Sequence, residues 1–364
     1  MGINRKIAVL PGDGIGPEVI QEATKVLKVI EDVFDHSFEL HYADVGAIAI
    51  DNYENPFPEE TEEICKGSDA ILFGAIGDPK YDNNPTAKVR PEEGLLRMRK
   101  TLGLFANIRP VRTYPQLLNM SPLKSDRVKD VDFVVYRELT GGIYFGKPSH
   151  ISEDGHSAVD TCLYESAEIL RIARLAFESA QRRSGKLTLV DKANVLSTSR
   201  LWRKTVQELA KAYPDVKVDF MFVDNAAMQI ILNPSSFDVV LTENMFGDII
   251  TDEASVISGS IGLMPSASVG ESVALFEPIH GSYPQAKGLN KANPMASILS
   301  LAMMLEHSFG LEKESALIDK AVDNAISRGI MTEDLKMDNP STTQEVGNFI
   351  SNYIRENKLV GQEN

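Results

Sequence analysis

Four times between residues 131 and 252 a short apolar run ends on a charged side chain and gives way to a helical pattern. Val131–Tyr136 ends on Arg137 and Glu138. Leu187–Val190 delivers Asp191, Lys192 and Asn194. The alternation Val218, Phe220, Phe222 presents Asp224, and Phe237–Leu241 leads into the helical stretch that carries the Asp248/Asp252 pair. Short β-branched runs bounded by turn residues read as buried strands, and strands that alternate with helices build an α/β sheet. Ligands bind such sheets at the C-terminal ends of the strands. One charged group there is structure. Four imply a single crevice, with cations for an anionic substrate and carboxylates for a metal.

The stretch Glu243–Ser255, ENMFGDIITDEAS, carries the sharpest spacing. Phe246, Ile249, Ile250 and Val256 recur at three- and four-residue steps, which predicts a helix. Asp248 and Asp252 then share one face, about one turn apart. Their mutual repulsion of a few tenths of a kcal/mol reverses sign when Mg²⁺ or Mn²⁺ sits between them. The same acids also suit a helix that only complements its own dipole. Lys192 at a strand end either snorkels or, buried beside other cations, becomes a base. Asp224 reads equally well as an N-cap.

The remaining segments are read the same way. KIAVLPGDGIGPEV opens with a strand, Ile7–Leu10, and a turn in which Gly12, Gly14 and Gly16 run GxGxG. A dinucleotide fingerprint needs GxGxxG, so a tight turn and a ligand loop both stand. Pro17 and Glu18 suit the start of the next helix. Ala70–Gly74 is a second buried strand, followed by an irregular Gly-, Pro- and Asn-rich loop. Leu95, Leu96, Met98 and Leu102 mark the apolar face of a helix on which Arg97 and Arg99 point apart. Arg109, taken alone, reads as solvated surface. TGGIYFGKPSHISEDGHS resembles a hairpin-like excursion. GSIGLMPSAS and EPIHGSYPQAKGLNKANP read as loops, and the segment from Ser315 onward as polar helix and surface.

At 364 residues the chain is long for one core, so two domains are expected. A net charge of −15 argues against nucleic acid or an anionic membrane as the main partner. Cys65 and Cys162 form no CxxC, which supports neither a disulfide framework nor a thiolate zinc site. MGINRKIAVL lacks a signal-peptide core, and the apolar run Ala296–Leu305 has core-helix length rather than the ~18 residues of a membrane span. The expected compartment is the cytoplasm.

LPGDGIGPEV, LLRMRK, FANIRP, RELTGGIYFG, VDKANVL, VDNAAMQ, ENMFGDIITDEAS, GLMPSAS and EPIHGS…ANP stand in one order along nearly the whole chain. In them the chain resembles the β-decarboxylating dehydrogenase family that contains isocitrate and isopropylmalate dehydrogenases. No single motif carries the resemblance; nine in register do. It implies an α/β, two-domain isopropylmalate dehydrogenase-like fold. Residues 1–104 and 260–364 would form a discontinuous cofactor-binding domain. Residues 105–259 would form a second domain with the metal and substrate residues, the dimer interface and an arm at about 144–161.

The implied activity is oxidative decarboxylation of (2R,3S)-3-isopropylmalate to 4-methyl-2-oxopentanoate and CO₂ with reduction of NAD, as in leucine biosynthesis. Arg99, Arg109 and Arg137 would clamp carboxylates through their bidentate forks. Asp224, Asp248 and Asp252 would hold Mg²⁺ or Mn²⁺, with Asp224 and Lys192 supplied by the partner of a homodimer. Lys192 would act in removing the C2 hydroxyl proton, and Tyr144 would protonate the enol. Glu92, Leu95, Leu96 and Val195 would choose the substrate, the acid repelling a third carboxylate and the apolar side chains receiving an isopropyl group. Glu277, His280, Gly281, Ser282, Tyr283, Pro284, Gln285, Asn293 and Asn194 would meet the cofactor. Gln285 stands where many NAD-using relatives have Asp, which weakens discrimination against NADP. The competing expectations are a relative acting on homoisocitrate, malate or tartrate, a non-catalytic regulatory paralogue, and a binding protein for anionic metabolites.

Overall fold

The structure is a computed structural model that describes residues 2–82, 89–336 and 338–357. Part of the Asn-rich loop expected after the second buried strand, residues 83–88, lies outside them. The described strands are β1 (Asn4–Gly12), β2 (Ser37–Tyr42), β3 (Ala70–Ala75), β4 (Ala106–Arg112), β5 (Asp132–Glu138), β6 (Ser149–Ile151), β7 (Ala158–Asp160), β8 (Lys186–Asp191), β9 (Lys217–Phe222), β10 (Val239–Thr242), β11 (Pro265–Val269) and β12 (Ala274–Pro278). The chain divides into two compact units, Met1–Leu104 with Ser260–Asn364, and Phe105–Gly259.

The first unit holds strands in the order β2-β1-β3-β12-β11. All neighbours run parallel except β11 and β12. Ile7–Leu10 and Ala70–Phe73 are buried throughout, because the central strands of such a sheet are covered on both faces. The Met295–Phe309 helix packs on β3, β11 and β12 and against the Gly16–Phe34 helix. Every residue from Met295 to Leu305 is buried, which explains why this helix is apolar all round.

Two sequence expectations fail here. The PSAS of GLMPSAS is not loop but the paired strand β11. The C-terminal segment is not mere surface either. Ile318, Val322 and Ile326, and then Val346, Ile350 and Ile354, are buried in the Glu312–Ser327 and Thr343–Glu356 helices. Each trio recurs every four residues, a single stripe that the polar majority around it conceals.

The GxGxG turn proves to be a close approach of backbones. Gly14 has φ +57°, and a Cβ there would overlap the Ser282 carbonyl oxygen, which accepts the Ile15 N–H at 2.8 Å. Between the glycines, buried Asp13 accepts N–H groups from Ala47 (2.8 Å), Gly77 (2.9 Å) and Ile48 (3.0 Å). It stitches three segments of the first unit together.

The second unit orders its strands β4-β5-β10-β8-β9, with β4 and β5 antiparallel and the rest parallel. The register sets Arg137 beside Thr242, Thr242 beside Val190, and Val190 beside Met221. The C-terminal ends of β5, β10, β8 and β9 therefore line one edge, as the strand-then-charge pattern requires. The helices Ser166–Arg182 and Ser197–Ala210 cover this sheet. Strands β6 and β7 form a two-stranded hairpin whose six residues are all exposed.

Candidate active site

Arg137 leaves the buried end of β5 and lies along the first turn of the Asn244–Ser255 helix. Its Nη1 donates to Asp248 Oδ1 at 2.5 Å, and its Nη2 to Asn244 Oδ1 at 2.9 Å. Its Nε donates to the Asn244 backbone oxygen at 2.9 Å. The approach depends on Gly247, where a Cβ would stand 2.5 Å from Arg137 Cγ. Glu243 caps this helix, its carboxylate accepting the Phe246 N–H at 3.2 Å. Burial pushes the Glu243 carboxyl above its ordinary range.

Asp248 Oδ2 accepts the Tyr144 hydroxyl at 3.0 Å, so both oxygens of this carboxylate are engaged. One turn on, Asp252 Oδ1 accepts from Arg109 Nη1 at 3.1 Å. Arg109 is itself held by Asn107 Oδ1 at 2.7 Å and Thr251 Oγ1 at 2.8 Å. The repulsion expected between the two acids is thus answered by two guanidiniums, and the cluster of two Arg and two Asp is neutral. Desolvation, then the hydrogen bond to Asp248, raises the Tyr144 phenol above its ordinary value. It keeps its proton at neutral pH.

Lys192 and Asp224 form a separate pair at the ends of β8 and β9, with Lys192 Nζ 2.8 Å from Asp224 Oδ1. Phe222 occupies the N-cap and Asp224 lies in the helix's first turn, so Asp224 is not a cap. The lysine hydrogen bond holds the Asp224 carboxyl below its ordinary range. Among the described residues, Lys192 makes no ion pair with Asp248 or Asp252, and no group of three His, Cys, Asp or Glu is disposed to hold a metal.

Exposure separates the expected substrate residues. Val195 is exposed in the second unit, Leu96 is exposed in the first, and Leu95 packs against the core cluster of Leu10, Phe73 and Met98. Glu92 sits in the first turn of the Pro91–Thr101 helix, where its charge also suits the dipole. Arg99 is on this helix, and its Nη2 lies 3.2 Å from Glu277 Oε1 at the end of β12.

The first unit also holds a cavity of about 710 Å³, lined in part by Ile15, His280, Gly281, Tyr283, Asn293 and Asp334. His280 Nδ1 lies 3.0 Å from the Gly281 carbonyl, an acceptor, so this nitrogen carries the hydrogen. Burial lowers the His280 pKa and keeps the ring neutral. Its Nε2 is then a buried acceptor without a partner among the described residues, suited to a ligand N–H. Ser282 is buried and faces the GxGxG turn, while Gln285 is exposed on the short 3-10 turn Pro284–Ala286. Sequence reasoning missed Ile15, Asp334, Asn107, Thr251 and Asn244. Only Asn107 and Asn244, polar residues beside apolar runs, offered a signal.

The chain belongs to the isocitrate/isopropylmalate dehydrogenase family: the family model so described matches residues 6–350. A 3-isopropylmalate dehydrogenase of Bacteroides fragilis (strain YCH46) is 56% identical over 352 residues, covering 96% of this chain and 99% of the relative. Among solved structures, isocitrate dehydrogenase from Methylococcus capsulatus matches with a TM-score of 0.84 at 32% identity, covering 98% of this chain and 100% of that one. An apo β-decarboxylating dehydrogenase from Thermococcus kodakarensis gives 0.80 at 35% identity, covering 96% of each.

Proposed function

We propose that the protein oxidatively decarboxylates 3-isopropylmalate to 4-methyl-2-oxopentanoate and CO₂ with reduction of NAD, a step of leucine biosynthesis, and that it works as a cytoplasmic homodimer. The observation that carries this reading is the chain of contacts Arg137–Asp248–Tyr144. It joins a cation for a carboxylate, an anion for a divalent ion and a phenol that holds a proton, each within hydrogen-bond reach of the next.

The residues fit both absent groups. Asp248 and Asp252 offer the hard oxygen donors that Mg²⁺ or Mn²⁺ takes, and Asp224 from a second copy would complete the set. A bound dication supplies Lewis acidity toward the substrate's oxygens. His280 Nε2 and Asn293 in the 710 Å³ cavity suit an adenine, with Glu277, Gly281–Gln285 and Asn194 meeting the rest of the cofactor. NAD supplies the hydride acceptor.

Arg99, Arg109 and Arg137 grip the substrate's carboxylates. Lys192 of a second copy takes the C2 hydroxyl proton as hydride leaves C2. Tyr144, protonated at neutral pH, gives its proton to the enol carbon left after CO₂ departs. Glu92 disfavours a third carboxylate, while Leu95, Leu96 and Val195 favour the isopropyl group. The homodimer draws support from the helices Val223–Leu232 and Asn244–Ser255, which pack on each other and expose Met228, Ile231, Leu232 and Ile249, with the exposed Val256 just past the second. Covering by a second copy accounts for the exposure of Ile249 and Val256.

The test is NADH and CO₂ formation from 3-isopropylmalate, with and without EDTA, beside malate, tartrate and homoisocitrate. Both products should appear and cease with chelator. Faster turnover of another diacid, or a higher kcat/KM with NADP than with NAD, overturns the corresponding part.

A further inference from the structure

Asn244 is buried at the start of the helix that carries Asp248, and all its polar atoms are engaged. Its Oδ1 accepts from Arg137 Nη2 at 2.9 Å and from Nε at 3.2 Å. Its Nδ2 donates to the Gly141 carbonyl at 3.1 Å, and its backbone N–H donates to the Tyr164 hydroxyl oxygen at 3.0 Å. Gly141 immediately precedes the 3-10 turn Gly142–Tyr144. One amide therefore touches both the guanidinium at the end of β5 and the turn that presents the Tyr144 phenol.

The turn is anchored on its other side as well. The fully buried Glu138 carboxylate accepts the N–H of Gly141 at 2.7 Å and of Thr140 at 2.9 Å. Arg137 and Tyr144 are thus linked twice, through Asp248 and through Asn244. If Asp248 turns its oxygens to a divalent ion, the Asn244 link still holds the two groups in register.

We propose that Asn244 is a positioning residue that fixes the spacing of Arg137 and Tyr144, so that the carboxylate clamp and the proton donor address one substrate. This rests on the function proposed above. The amide serves both neighbours because it holds an acceptor and a donor on separate atoms of one planar group. Asp at this position keeps the acceptor for Arg137 and loses the donor to Gly141; Ala loses both.

The test compares Asn244→Asp and Asn244→Ala with the wild-type enzyme in steady-state and single-turnover assays on 3-isopropylmalate. Asn244→Ala should raise the KM for the diacid about tenfold and lower kcat ~10–100-fold, the scale of misplacing a reacting group by about 1 Å. Asn244→Asp should leave KM within about threefold while lowering kcat similarly. Its first-turnover NADH burst should grow relative to the steady rate, because hydride transfer precedes the Tyr144 step. A folded alanine variant with wild-type kcat and KM overturns the proposal. So does an equal fall of burst and steady rate in the aspartate variant, which marks lost folded protein only. Should the alanine variant not fold, the aspartate variant decides alone. A wild-type protein without turnover refutes the proposed function instead, so the two failures are distinct.

Discussion

The second unit contains two charged constellations built on opposite plans. Arg137 on β5 is buried and bonded to Asn244 and Asp248 of the Asn244–Ser255 helix, and its acceptor Asp248 is shared with Tyr144. Among the described residues, Lys192 and Asp224 have only each other as ion-pair partners, with Asp224 standing 65% exposed. A buried, fully hydrogen-bonded cation is part of the fold, and removing it leaves acceptors stranded. An exposed pair contributes little to stability. The difference teaches that one constellation is completed by its own chain, while the other has the character of a part offered to something else.

Activity and stability should therefore come apart at the two places. Lys192→Ala is expected to lower kcat ~10³-fold, within the range for a lost general base, while changing stability by less than about 0.5 kcal/mol. Subunit mixing sharpens the point. Lys192→Ala and Asp248→Asn proteins, each inactive, should recover about a quarter of wild-type activity when unfolded and refolded together, because half the dimers carry one intact site. No recovery would mean that each site draws its residues from one chain.

Arg137→Ala should cost about 2–3 kcal/mol in a urea melt, because Asp248 and Asn244 lose a charged donor. A cost as small as that of Lys192→Ala erases the contrast. A smaller effect concerns Glu243, whose folded pKa lies above its ordinary 4.5. The folded state then binds the proton more tightly than the unfolded state, so stability falls as pH rises from about 4.5 through the raised value. Glu243→Gln should flatten that fall, and melting curves at pH 5 and pH 7 should show it. The smallest expected signal is chemical. Burial pushes the Cys65 thiol up to about 12, so a thiol reagent at pH 8 should label the less buried Cys162 first.

Much of this was legible in the sequence for reasons that differ by residue. Ile7–Leu10 and Val131–Tyr136 announced themselves because strands covered on both faces cannot afford polar breaks. Asp248 and Asp252 were legible because helix geometry alone sets two residues four apart on one face. Asn107 and Arg109 were not paired in advance. Their contact follows from side chains two apart on β4, and Asn107 meets Arg137 only through the β4–β5 register. Strand β11 was missed because PSASV looks like loop composition, and its antiparallel pairing with β12 is a tertiary fact that composition does not carry. The Val346–Ile350–Ile354 stripe was lost in a polar segment. Gly247 gave no signal, since its need arises from a guanidinium 110 positions earlier in the fold's own register.

In the first unit, β12 runs beside β3 and joins it to β11 within the order β2-β1-β3-β12-β11. A ribosome making this chain releases β1, β2 and β3 long before Ala274–Pro278 exists. Until then the outer flank of β3, a run of buried Ala, Ile, Leu and Phe, faces the cell with its amides unpaired. The intervening Phe105–Gly259 segment, a compact unit, is synthesised whole before β12 appears. The nascent protein is thus most prone to mispairing at β3 until β12 arrives, and slow translation between residues 105 and 274 would lengthen that hazard.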